Sequence, residues 1–213
     1  GAEKASILEL YSHPNIKGFT TNPTLMRKAG VSDYRAFAQE ILEVITDRPI
    51  SFEVFANDFE EMERQALEIA SWGKNVYVKI PVTNTRGESC ASLMHRLSRA
   101  GVQLNVTAIM TVAQVAAVAD ALSPETSSFV SVFAGRIADT GRDPVPIMRQ
   151  CLDVLRPFPK MELIWASPRE LLNIIQADEI GCHIITVTND VLAKLPLIGK
   201  DLDERGAEQL RHP

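Results

Sequence analysis

The stretch NVYVKIPVT, residues 75–83, sets a lysine inside an apolar run: Val76, Tyr77, Val78, Ile80 and Val82 surround Lys79. Burial among such neighbours disfavours the charged ammonium and leaves the amine available as a nucleophile. Its natural reaction is attack on a carbonyl to form a Schiff base. The iminium then acts as an electron sink, so a neighbouring carbon–carbon bond can break. A carboxylate, Glu53, stands in an earlier apolar run, PISFEVF, residues 49–55. The plainer alternative is a lysine that snorkels toward water from a strand end, paired with Glu53.

More polar residues sit at the ends of other β-rich runs. Thr20, Thr21 and Asn22 close GFTTN (18–22), while Asn105 and Thr107 lie in VQLNVTAI (102–109). Ser131 and Phe133 lie in SFVSVFAG (128–135), with Arg136 just beyond. Ser167 ends MELIWAS (161–167), with Arg169 behind it, and Thr186 and Thr188 close HIITVT (183–188). With the runs at 49–55 and 75–82 these make seven, most of them nearly continuously apolar, as strands buried on both faces must be.

Helical patterns separate the runs. Tyr34, Phe37, Ala38, Ile41, Leu42 and Ile45 follow the helical period behind Ser32, and Met62, Ala66, Ile69 and Ala70 do so behind Asp58, which forms a capping box with Glu61. Leu93, Met94 and Leu97 run toward a stop at Gly101. Asp143-Pro144 reads as a cap with proline at the first helical position, and Ser167-Pro168-Arg169-Glu170 repeats that logic. Strand then helix, seven times over, predicts an α/β fold with a parallel sheet. An open doubly wound sheet is possible, but the even spacing fits a (β/α)8 TIM barrel better, with one strand short. GAEKASILELY reads as a helix and loop, so the first strand is expected upstream of Gly1. With no Pro/Gly/Ser-rich linker, residues 1–213 are read as one domain. In such a barrel the carboxyl ends of the strands line one mouth, where active sites are built.

The composition narrows the partners. A net charge of −5, with no basic stripe, argues against nucleic acid. No apolar run approaches the ~18 residues a membrane span needs. Cys90, Cys151 and Cys182 are odd in number and lie in apolar segments, which favours a reducing cytoplasm over a disulfide framework. His13, His95, His183 and His212 lack ligand spacing, and no glycine-rich nucleotide motif is present. The chemistry is expected to need no metal and no cofactor.

Six segments occur in order with suitable spacing: GFTTNPTL, VKIPVT, NVTAIMT, FAGRIADTGRDP, WASPRE and ITVTNDVL. Together they resemble the transaldolase family, in particular its short-chain members, which include fructose-6-phosphate aldolases. The resemblance spans about residues 16–200 and implies a (β/α)8 barrel. It matches Lys79 to the Schiff-base lysine. Glu53 matches the carboxylate that works with a bound water and a threonine, here Thr107, as a proton relay. Asn22 and Asn105 match amides that hold the donor hydroxyls and the carbinolamine, and the neighbouring Thr21 is expected among the substrate-binding residues. Ser131 matches a hydroxyl near the substrate's carbonyl end, and Arg136, Ser167 and Arg169 match the phosphate-binding group. The family's strand-one aspartate has no match in this chain, an absence attributed to truncation.

The resemblance also implies sugar-phosphate substrates, a role in carbohydrate metabolism such as the pentose phosphate pathway, and a homo-oligomer, a pentamer or decamer. The tail KDLDERGAEQLRHP is shorter and more polar than the C-terminal helices with which such members reach neighbours. Aldolase members tend to carry glutamine where Glu53 stands and tyrosine where Phe133 stands. Both positions here hold the transaldolase choice. Transfer of a dihydroxyacetone unit is therefore expected, with a fructose-6-phosphate or other class I sugar-phosphate aldolase as the alternative. A barrel that binds sugar phosphates without turnover is a third.

Overall fold

In a computed structural model, residues 3–211 are described. Seven parallel strands form one curled sheet in the order of the chain: β1 (Phe19–Thr20), β2 (Ile50–Glu53), β3 (Val76–Pro81), β4 (Leu104–Ile109), β5 (Ser128–Val132), β6 (Met161–Trp165) and β7 (Ile184–Ile185). The helices are α1 (Lys4–Tyr11), α2 (Pro23–Lys28), α3 (Tyr34–Val44), α4 (Phe59–Ala70), α5 (Ala91–Arg99), α6 (Val112–Ala121), α7 (Ala134–Ala138), α8 (Pro144–Leu155), α9 (Leu172–Glu179), α10 (Asn189–Leu192) and α11 (Leu202–Arg211). Among the described residues no ladder joins β7 to β1. The architecture is that of a (β/α)8 barrel short of one strand.

Successive side chains of a strand point to opposite faces. On β3, Val76, Val78 and Ile80 point outward into the main core. There they pack with apolar helix residues such as Ile41, Met62, Ile69, Leu93 and Leu97. Tyr77 points inward instead, into a smaller cluster with Phe129, Ile164 and Ala166, and its ring stacks on Phe129 at 4.1 Å. Lys79 shares that inward face. The continuous hydrophobicity of the strands thus has two causes, one for each face.

Local chemistry sets the helix starts. Asp33, rather than Ser32, caps α3 by accepting from Ala36 N at 2.9 Å. Asp58 caps α4 through Glu61 N, but the Glu61 carboxylate bonds Arg64 instead of closing a box. The box that does close is Thr111 with Gln114 on α6. Asp143 caps α8, with Pro144 in its first turn. Gly101, at φ +86°, takes the left-handed turn that ends the α5 segment. The helix expected from Pro168 begins only at Leu172.

Candidate active site

The inward ends of β2, β3 and β4 bring the chemistry together. Glu53 and Lys79 are register partners, and Lys79 is in turn paired with Asn105. Residues paired in a parallel ladder present their side chains on the same face. Lys79 Nζ accordingly lies 3.7 Å from Glu53 Oε2, with the two side chains only 14% and 21% exposed. Their main chain is held as well: Val54 N donates to Lys79 O at 3.1 Å. The half-buried Tyr34 donates through its hydroxyl to Glu53 O at 3.0 Å. Burial pushes the Glu53 carboxyl above its ordinary value, an effect that the nearby Lys79 ammonium opposes. A carboxyl in that setting holds and releases a proton closer to neutral pH than a solvated one does.

Behind this pair lies a floor of buried polar groups. Thr21 donates through its amide and its hydroxyl to Ser51 O, at 3.0 and 2.9 Å. Asn105 Nδ2 donates to Ser51 Oγ at 3.0 Å, and Ser131 Oγ donates to Asn105 Oδ1 at 2.6 Å. All four residues are buried. Thr21, Asn105 and Ser131, which looked separate in the sequence, thus form one network. Ser51 is the member that sequence reading missed. Its only signal was a small polar residue two positions before Glu53, on the same face of an otherwise apolar strand. Thr107 is buried opposite Pro81, where the β4–β5 register shifts. Its Oγ1 has no hydrogen-bond partner among the described residues. Asn22 caps α2, its Oδ1 accepting from Leu25 N at 2.8 Å, so its NH2 is the group it can offer a ligand.

The expected phosphate group sits on the connections after β5 and β6. Gly135 N donates to Ala166 O at 3.2 Å. A Cβ added at Gly135 would fall 1.5 Å from Ser167 O. Only glycine lets the two segments come this close. Ser167 itself adopts φ +56°, a left-handed conformation rare outside glycine. Arg136 is exposed and its guanidinium stands 5.7 Å over the Phe133 ring. Arg169 is gripped by Asp139, with Nε to Oδ1 at 3.0 Å and Nη2 to Oδ2. That pairing holds the Asp139 carboxyl below its ordinary range. The late start of α9 has a visible cause. Asn173 Oδ1 takes the Arg169 and Glu170 amides at 2.8 and 3.0 Å, so a side chain occupies donors that a helix N-terminus would offer an anion. The anion-attracting groups here are therefore the two guanidiniums rather than a helix dipole. No hydrogen bond or ion pair among the described residues links them to Lys79.

Other candidates are placed elsewhere. Thr186 Oγ1 contacts Trp165 O at 3.5 Å, and Thr188 precedes α10. His13, His95 and His183 each engage backbone groups through Nδ1, and His212 lies outside the described residues. Among the described residues no group of three or more metal-ligating side chains converges. No helix among them is long and apolar enough to cross a membrane.

Comparison with known proteins bears on the fold and the family. A solved mandelate oxidase variant shares the fold at a TM-score of 0.56 and 11% identity, covering 86% of this chain and 58% of that one. Closer likeness is found in sequence. A "Probable transaldolase" of Dehalococcoides mccartyi is 37% identical over 181 residues, 84% of this chain and 80% of that protein. One from Caldicellulosiruptor saccharolyticus is 37% identical over 191 residues, covering 89% and 83%. "Probable transaldolase 2" of Listeria monocytogenes is 35% identical over 194 residues, covering 88% and 84%. The family described as Transaldolase/Fructose-6-phosphate aldolase matches residues 1–212. With that match laid over a lysine and a carboxylate inside the mouth of a parallel barrel, the chain belongs to the transaldolase/fructose-6-phosphate aldolase family.

Proposed function

We propose that this protein is a transaldolase that moves a dihydroxyacetone unit from a ketose phosphate to an aldose phosphate through a Schiff base on Lys79. The observation that carries the reading is the Lys79–Glu53 pair, 3.7 Å apart and mostly shielded from solvent at the inward face of β2 and β3. In this scheme the Lys79 amine adds to the C2 carbonyl of the donor. The carbinolamine loses water to give an iminium. The C3–C4 bond then breaks, its electron pair moving into the iminium while the C4 hydroxyl loses its proton and becomes the aldehyde product. The enamine attacks the acceptor aldehyde, and water frees the new ketose. Glu53, with its raised proton affinity, serves as the proton carrier, and Thr107 offers an uncommitted hydroxyl on the same path. Asn105 and Ser131 hold the carbinolamine and the C1 hydroxyl. Asn22 meets the donor hydroxyls, and Arg136, Ser167 and Arg169 receive the phosphate.

Transfer rather than simple release is favoured by Glu53 and Phe133. Phe133 adds no phenolic donor beside the relay. The same reading carries a homo-oligomer. No residue of α11 is buried, and Leu202 and Leu210 are 84% and 86% exposed. A second copy is the natural cover for such apolar surface.

The test is borohydride reduction with fructose 6-phosphate, followed by peptide mass mapping. A dihydroxyacetone-derived adduct on Lys79 is expected, and it should be lost when an aldose phosphate is added before the reductant. Absence of any adduct on Lys79 refutes the lysine chemistry. An adduct that drains into free dihydroxyacetone with or without acceptor makes the protein an aldolase.

A further inference from the structure

Ser51 is tied to both sides of the amine. Its Oγ accepts from Asn105 on β4, and its carbonyl oxygen accepts twice from Thr21 at the end of β1. It is buried and shares the face of β2 that carries Glu53. A primary amide has two N–H donors. Ser131 occupies the oxygen of Asn105 and Ser51 takes one of its N–H groups, which leaves one donor for a bound substrate. The last torsion of asparagine is broad and roughly twofold, so an amide with one anchor can turn where an amide with two cannot.

We propose that Ser51 is a positioning residue for the Schiff-base reaction. Its hydroxyl fixes the plane of the Asn105 amide beside Lys79, and its carbonyl fixes the Thr21–Asn22 corner on the other side. This inference rests on the Lys79 reading above. It assigns Ser51 no contact with substrate: its effect is exerted through Asn105. Small displacements of a group that must meet a reacting centre are costly, since about 1 Å of misplacement can cost up to ~100-fold in rate.

The experiment follows the rate of borohydride-trappable adduct formation on Lys79, together with kcat and donor KM, in Ser51→Ala, Ser51→Thr, Asn105→Ala and the Ser51→Ala/Asn105→Ala double variant. Ser51→Ala should slow adduct formation by about 10- to 100-fold while leaving donor KM nearly unchanged. Ser51→Thr keeps an oxygen at the same place and should recover most of the rate. In the double variant, loss of Ser51 should add nothing to loss of Asn105, because one acts through the other. If Ser51→Ala fails to fold, Ser51→Cys, of similar size but a weak acceptor, should show the same loss. Parental rates in Ser51→Ala or Ser51→Cys overturn the proposal. So does a Ser51→Ala effect that multiplies in full with that of Asn105→Ala. No adduct in the parent protein overturns the lysine chemistry and this inference together. An adduct in the parent that forms as fast in Ser51→Ala sinks this inference alone.

Discussion

Gly135→Ala probes the crossing that supports the proposed phosphate-binding edge. The added Cβ would lie 1.5 Å from Ser167 O and 2.6 Å from Ser167 C, both of them backbone atoms. Ordinary carbon contacts begin near 3.5 Å, so the Ser167 peptide would have to retreat by about 2 Å. Overpacking of this kind costs about 1–3 kcal/mol. The retreat also breaks the hydrogen bond from Gly135 N to Ala166 O, worth roughly 1 kcal/mol. A loss near ~3 kcal/mol corresponds to a fall in melting temperature of roughly 6–12 °C for a chain of this length. The functional effect should be selective. Ser167 and Arg169 move with the displaced segment, while Lys79 and Glu53 sit on strands that do not touch it. Catalytic efficiency with fructose 6-phosphate should fall by up to ~100-fold, and efficiency with unphosphorylated fructose should fall far less. Calorimetry and steady-state kinetics with the two donors measure both effects. A variant that melts with the parent and keeps its preference for the phosphorylated donor would show that this backbone crossing does not organise phosphate binding.

Two further outcomes are expected. Thr107→Val removes a buried hydroxyl that has no partner among the described residues, and an unsatisfied buried polar group costs about 1–3 kcal/mol. The variant should therefore be at least as stable as the parent in urea, while kcat falls by ~100-fold or more if the hydroxyl takes part in proton transfer; unchanged kcat removes Thr107 from the relay. Glu53→Gln tests the raised carboxyl. Below its ordinary value of 4.5 the group is protonated in folded and unfolded chains alike. Between 4.5 and the raised folded value only the folded chain keeps the proton, so Glu53 lowers stability as pH rises through that window. Gln binds no proton, so the variant's stability should lack that decline. Parallel urea-midpoint profiles for parent and variant across the acid range would contradict it.

Much of the frame was legible because buried parallel strands announce themselves by hydrophobicity alone. The run at residues 75–82 became Val76–Pro81, and the run at 102–109 became Leu104–Ile109. The ends were less legible. SFVSVFAG reads as one strand, yet β5 stops at Val132 and α7 begins at Ala134, and there Gly135 sits against Ser167. That close approach involves residues far apart in sequence, and neither segment signals it alone. The later start of α9 has a more local reason. Pro168 and Glu170 have the right types for a first turn, but Asn173 supplies the capping oxygen from inside the helix. In the site, the pairing of Lys79 with Glu53 could be anticipated from two inward charges on neighbouring strands. Ser51 could not, since a serine in a strand gives no sign of whether its hydroxyl meets water, backbone or an asparagine two strands away.

The Glu53 carboxylate and the Lys79 amine are carried by β2 and β3, whose backbones are bonded on both sides, whereas the guanidiniums of Arg136 and Arg169 belong to α7 and to the segment that follows β6. Under the proposed function, recognition and reactivity are therefore mounted on separate parts of the molecule. A lineage could lengthen, recharge or replace the outer segments, and so change which sugar is welcomed, without retuning the nucleophile. Within such a family, donor preference is free to drift faster than the chemistry.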